Sequence, residues 1–140
     1  MANVSLRPVT EENWKACVNL QLPPEQQAFV PNNLYSIAEA QFYSDARSRA
    51  VYSEANELVG YALFGRDQFS GRWKVFRLMI DAAHQRRGYG EATMMKIIAE
   101  IAEEADGNEI LICYHEPNVG ARAYMPGLDS LNRRLTPAAG

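Results

Sequence analysis

"RLMIDAAHQRRGYGEATMMKIIAEIAEE", Arg77 to Glu104, holds the junction from which the fold can be read. An apolar run ends at Asp81, Gln85-Arg86-Arg87-Gly88-Tyr89-Gly90 turns the chain, and a long amphipathic pattern follows. That pattern predicts a helix from about Tyr89 to Ala105, with Ala92, Met95, Ile98, Ala102 and Ala105 on one side. Gly107-Asn108 supplies its stop. A helix N-terminus presents unpaired backbone N–H groups and partial positive charge, and a glycine turn before it can gather them into an anion-binding nest. Gly88 and Gly90 would let oxygens approach the backbone, and Arg86 and Arg87 add charge. The ligand such a turn fits is a phosphate or pyrophosphate; the alternative is a glycine turn with a purely structural role. Neither Gly-x-Gly-x-x-Gly nor Gly-Lys-Ser/Thr is present, so this is not a familiar nucleotide loop.

Outward from the junction, "RWKVFRLMID" reads as a long strand, and "RAVYSE" and "ELVGYALFG" as two more around a turn at Ala55-Asn56. "VSLRPV" alternates like a first strand. A helix capped by Thr10 is predicted to about Leu20, burying Trp14, Val18 or Cys17, and a second from about Leu34 to Tyr43. "EILICY" is a short apolar strand that a helical crossover makes parallel to the long one. Beyond Pro126 the chain reads as an irregular segment and polar tail, without strand alternation. The 140 residues suit a single domain, with the motif region at 72–124 and an atypical tail at 125–140.

Apolar residues make up 47% and charged residues 22%, the composition of a globular chain. No apolar run approaches the roughly 20 residues of a membrane helix, and no signal-peptide pattern opens the chain. The expectation is a cytoplasmic protein with reduced Cys17 and Cys113 and no metal site. A net charge of −3 argues against a nucleic-acid partner. Residues 1–65 carry seven acids against four bases, and the remainder ten of each. The acidic half is either a solvated surface or a face that attracts a cationic ligand.

Gln85-Arg86-Arg87-Gly88-Tyr89-Gly90, set in this order of elements, resembles the Gln/Arg-x-x-Gly-x-Gly/Ala motif of the GNAT acyltransferases over roughly residues 3–124. The resemblance implies an α/β fold of the GNAT N-acyltransferase type: a mixed, mostly antiparallel sheet flanked by helices. The N-terminal stretch "VSLRPVTEENWKACVNLQLPPEQQAFVPNNLYSIAEAQFY", with "VGYALFG" and "RLMID", is similar to the bacterial spermine/spermidine (diamine) acetyltransferases. That likeness implies acetyl-CoA as cofactor and a small cationic amine, a polyamine, as acceptor. By the same resemblance the backbone of Gln85, Arg86, Arg87, Gly88, Tyr89, Gly90 and Glu91 anchors the pyrophosphate. Leu78, Met79 and Ile80 pair with the pantetheine arm on a bulged, splayed strand, where an N–H near Met79 can meet the thioester oxygen. Gln26, Phe29 and Val30, with Glu39, lie by the acceptor.

An alkylamine with a pKa near ~10.4 must lose a proton before it attacks. Trp73 to Arg77 contain no acid, so this strand offers no carboxylate base. Glu39, or Glu54 through water, either takes the proton or orients the substrate, and a desolvated cleft can make a base unnecessary. His84 is expected to be exposed, and His115 nearer the cleft. The resemblance assigns protonation of the thiolate to a tyrosine after the last recognised strand. Asn118 and Ala121 fit the family pattern, but Tyr124 falls one place early, which is about 100° of helix. Tyr124 is therefore either the acid or a packing residue. Family members close with two more antiparallel strands, absent here, so the C-terminal strands read as truncated or replaced. The strand at Ile110 to Tyr114 would then be an open edge that either invites a homodimer or leaves a protein of low stability. Two alternatives accompany the polyamine reading: a CoA-binding but impaired member, and an acetyltransferase for an aminoglycoside or protein amine.

Overall fold

The computed structural model describes residues 2–24, 32–112 and 135–137. In chain order the elements are β1 (Val4–Pro8), α1 (Trp14–Asn19), α2 (Asn33–Glu39) with a 3-10 turn Ala40–Phe42, β2 (Arg47–Ser53), β3 (Leu58–Arg66) and β4 (Trp73–Ile80). A second 3-10 turn (Ala82–His84), α3 (Tyr89–Ala102), β5 (Ile110–Ile112) and β6 (Leu135–Pro137) follow. The described strands form one sheet in sequence order, β1 to β6. β1 to β4 are antiparallel, whereas β5 joins β4, and β6 joins β5, in parallel. This is the mixed, mostly antiparallel sheet that the sequence implied, and the β4–α3–β5 crossover is as expected.

The two faces are covered by different elements. α3 buries Met94, Ile97, Ile98 and Ile101 against Ala62, Phe64, Trp73 and Val75 on one face. α1 and α2 cover the other, where Cys17 packs with Ala50, Tyr61, Leu63 and Met79. The expected helical face was turned by about one residue: Met95 is 44% exposed while Met94 and Ile97 are buried. Alanines at 92, 102 and 105 bring little area, so the isoleucine stripe decides the orientation. The helix also stops at Ala102, earlier than its pattern suggested. Gly107 closes this end: a Cβ there would stand 1.8 Å from the Ile101 carbonyl oxygen.

α1 is shorter than expected, and its N-cap is Asn13 rather than Thr10. The Asn13 side chain accepts from the Thr10 N–H at 2.7 Å and donates to the Pro8 carbonyl at 3.1 Å, which fixes the entry turn. Of the apolar candidates here Cys17 is buried, whereas Trp14 is exposed. α2 begins with a cap, Asn32 Oδ1 accepting from the Tyr35 N–H at 2.8 Å.

The tail corrects the reading of an unpaired edge. β6 pairs in parallel with the whole of β5, from Ile110↔Leu135 to Ile112↔Pro137. The described part of β5 is thus covered by Leu135–Pro137, and the argument from an open β5 edge to a second copy loses its premise. A strand of three residues is too short to show a period, and Pro137 at its end made it less legible.

Candidate active site

β4 carries the irregularity that builds the site. Leu63 pairs with Arg77, but Phe64 pairs with Val75, so Phe76 is an extra residue on β4. Across such a bulge two successive side chains share one face. Val75 and Leu78 accordingly pack on the α3 side, while Phe76 joins the α1/α2 side and Arg77 reaches Glu39 of α2. Gly60 permits the close approach of β3 here, since a Cβ would lie 2.5 Å from the Met79 carbonyl oxygen. On the other edge the described part of β5, Ile110 to Ile112, accompanies β4 along Trp73 to Val75. Beyond Val75, the Phe76 carbonyl accepts from Arg77 Nη1 at 2.7 Å and the Ile80 carbonyl from the Gln85 side chain at 2.9 Å. The side chains of Met79 and Ile80 are buried.

Beyond Ile80 the loop is held at several points. The Asp81 N–H donates to the Val59 carbonyl at 2.8 Å, and Asp81 Oδ1 accepts from the Gln21 N–H at 2.9 Å. The Gln85 side-chain amide donates to the Ile80 carbonyl at 2.9 Å, tying the end of the turn to the end of β4. This bond was not foreseen, because the reading assigned Gln85 only a backbone role. Arg86 has φ 65 and Gly88 φ 81. A left-handed conformation is free for glycine but costs arginine about 1–2 kcal/mol, and strain held at a loop is a mark of function. The first helical bond of α3 runs from the Ala92 N–H to the Gly88 carbonyl, which leaves the amides of Tyr89, Gly90 and Glu91 ahead of it. Arg86 and Arg87 are exposed and make no ion pair among the described residues. Helix-start amides, two available guanidinium groups and glycines at 88 and 90 suit a pyrophosphate.

A second cluster lies across the bulge. Arg77 Nη2 donates to Glu39 Oε1 at 3.1 Å, and Nη1 to the Phe76 carbonyl at 2.7 Å. The Tyr43 hydroxyl donates to Glu39 Oε2, and its ring stacks on Phe76 with centroids 4.6 Å apart. Burial pushes the Tyr43 hydroxyl up to about 12, and the adjacent Glu39 adds to the shift. Both Glu39 oxygens are thus engaged, with side chains only 16% exposed for Glu39 and 20% for Arg77. The sequence reading named Glu39 but missed Arg77 and Tyr43. Tyr43 stands four residues after Glu39, one helical turn on, and that spacing was the available signal.

Other candidates are not brought to this place. Glu54 is exposed on the β2–β3 turn and makes no contact with Glu39 among the described residues. The acidic half does not form one face: Glu39 pairs with Arg77, Asp45 with Arg66, and Glu11 and Glu12 lie at the end of the sheet opposite to Glu54 and Glu57. His84 is half-buried rather than exposed, edge-on to Tyr89 at 6.4 Å. Burial pushes the Cys17 thiol up to about 11, and it is no nucleophile. Gln26, Phe29, Val30, Cys113, His115, Asn118, Ala121 and Tyr124 lie outside the described residues. Among the described residues, no group of side chains could hold a metal ion, and no helix is long and apolar enough to cross a membrane.

Comparison with known proteins adds to this geometry. The family model described as "Acetyltransferase (GNAT) family" matches residues 11–126. A spermine/spermidine N(1)-acetyltransferase of Bacillus subtilis is 24% identical over 125 residues, which is 85% of this chain and 82% of that protein. The solved structure of a Vibrio cholerae spermidine N-acetyltransferase, in complex with CoA and spermine, superposes with a TM-score of 0.66 at 13% identity, covering 87% of this chain and 77% of that one. An aminoglycoside 6'-N-acetyltransferase from Acinetobacter baumannii superposes with a TM-score of 0.61 at 12% identity, covering 92% and 89%. At these identities the solved structures establish the shared fold.

Proposed function

The chain belongs to the GNAT family of acetyltransferases, and on that premise we propose that it acetylates a primary amine of a small cationic acceptor, with spermidine and spermine as the favoured substrates. It is an N-acetyltransferase dependent on acetyl-CoA. The observation that carries the cofactor site is the junction of β4 and α3, where the amides of Tyr89, Gly90 and Glu91 precede the first helical bond. Bound there, acetyl-CoA supplies an acetyl group activated as a thioester. In this reading Arg86, Arg87, Gly88, Tyr89, Gly90 and Glu91 hold the pyrophosphate, and Gln85 keeps the turn closed on Ile80. Leu78, Met79 and Ile80 offer their backbone to the pantetheine arm, and an N–H near Met79 polarises the acyl oxygen.

Glu39, with Arg77 and Tyr43 on its two oxygens, orients the acceptor rather than taking its proton. The ammonium then gives its proton to water as it enters a desolvated cleft that lowers its pKa. Tyr124 returns a proton to the thiolate, Asn118 supports the cofactor, and Gln26 and Phe29 line the acceptor side. The cytoplasm is the compartment in which we place this reaction. The acceptor assignment is supported by the Bacillus subtilis relative and the Vibrio cholerae structure.

The test is acetyl-CoA turnover against a panel of amines, following CoA thiol release and identifying the product by mass. Acetylspermidine or acetylspermine is expected. Turnover confined to an aminoglycoside or a protein amine would replace the acceptor and keep the chemistry. CoA binding without turnover of any amine would favour an impaired member and direct attention to the shifted Tyr124.

A further inference from the structure

The cluster at the β4 bulge contains a cation that belongs to the protein. Arg77 holds Glu39 through one nitrogen, Nη2, rather than as a two-point fork. Its Nη1 is on the Phe76 carbonyl, and its Nε is buried without a partner among the described residues. Arginine's strong arrangement with a carboxylate uses two parallel bonds, so this pair is held below its best geometry by the bulge. An ion pair so composed is open to exchange with a better-fitting cation. Its place on the strand matters too. Arg77 precedes Met79 by two residues, about 6.6 Å along a strand at ~3.3 Å per residue. The two nitrogens of a short diamine, five bonds of about 1.5 Å in a zigzag, are separated by about 6 Å.

We infer that Arg77 is a specificity-determining residue that competes with the acceptor's second, non-reacting ammonium group for Glu39. The inference rests on the amine-acetylating reading above and refines its substrate class. An acceptor whose reacting amine lies at the Met79 edge would place a second cation, one short methylene chain away, at the Arg77–Glu39 pair. There it must displace the guanidinium from Glu39, beside the stacked Phe76 and Tyr43 rings, with Lys74 Nζ already 5.4 Å from the Phe76 centroid. A monoamine of equal length has no second charge to exchange. Arg77 thus weakens diamine binding, and its removal both frees the carboxylate and lifts a like-charge repulsion.

The experiment compares kcat/KM for 1,4-diaminobutane and for butylamine in the wild type and in Arg77→Met and Arg77→Gln variants, each checked for its fold by circular dichroism. The diamine-to-monoamine ratio is expected to rise about tenfold in both variants, the effect of one charge-assisted hydrogen bond. Glu39→Gln is expected to bring that ratio toward unity, and it carries the test alone if neither Arg77 variant folds. A ratio that is unchanged or lower in the Arg77 variants, with the fold intact, would overturn the inference and leave Arg77 a packing residue. So would a preserved ratio in Glu39→Gln. If the wild type acetylates no amine at all, the amine-acetylating reading itself falls, an outcome distinct from wild-type turnover with insensitive variants.

Discussion

Gly88 has φ 81, and a Cβ on it would meet the Ala2 Cβ at 3.4 Å. Alanine there keeps a strained backbone, so Gly88→Ala is expected to cost about 1–2 kcal/mol in stability and to raise KM for acetyl-CoA. Gly90 differs: its nearest neighbour would be Ile80 Cγ1 at 3.9 Å, an ordinary contact. Gly90→Ala should therefore change stability by less than about 0.5 kcal/mol in chemical denaturation, and any loss of acetyl-CoA affinity would come from the ligand's side. Equal losses of stability at the two positions would contradict this account of the turn. The glycines and arginines of this turn were legible in the sequence because the whole arrangement is local. The Glu39–Arg77 pair was not, since it joins a helix to a strand 38 positions away and depends on a bulge that leaves no mark in composition.

Among the elements, α3 was placed correctly but turned wrongly. Ile97 is fully buried and Met95 is 44% exposed, so the two side chains separate the readings. Ile97→Ala is expected to cost 2–5 kcal/mol by the usual cost of a core truncation, and Met95→Ala less than about 0.5. The reverse order in urea titrations would restore the alanine-rich face. The β4 bulge belongs to this scale as well. Period-two alternation runs along β4 until Phe76, and the single extra residue carries Arg77 to the α2 side. A splay between β4 and β5 was implied by family resemblance; the residues that would follow Ile112 along β4 lie outside the described ones.

Over the whole molecule, charge contributes at the end of the sheet remote from the α3 N-terminus. Arg66 bonds Asp106 with two nitrogens and Asp45 with Nε, and Trp73 Nε1 donates to Asp106 at 3.0 Å. The Arg66 guanidinium, and then the Trp73 indole, hold the Asp106 carboxyl down at about 2 from its ordinary 3.8. A depressed carboxyl stabilises the fold above its unfolded value, and that contribution is lost as pH falls through the folded one. Melting temperature should therefore decline between pH 4 and about 2, and decline less in Asp106→Asn; an identical slope in both proteins would remove Asp106 from the explanation. The order of elements up to β5 was legible because each long element has its own period and turn signals. β6 was not, because three residues show no pattern and its partner strand is chosen by the tertiary fold.

The central claim is that acetyl-CoA is held by the β4 edge and the start of α3. Peptide-level amide hydrogen exchange, with and without CoA, tests it most directly. The account expects added protection in the peptides covering Leu78 to Glu91, with the rest of α3 little changed. Saturating CoA that leaves those amides exchanging as before, while it protects another part of the chain, would contradict it.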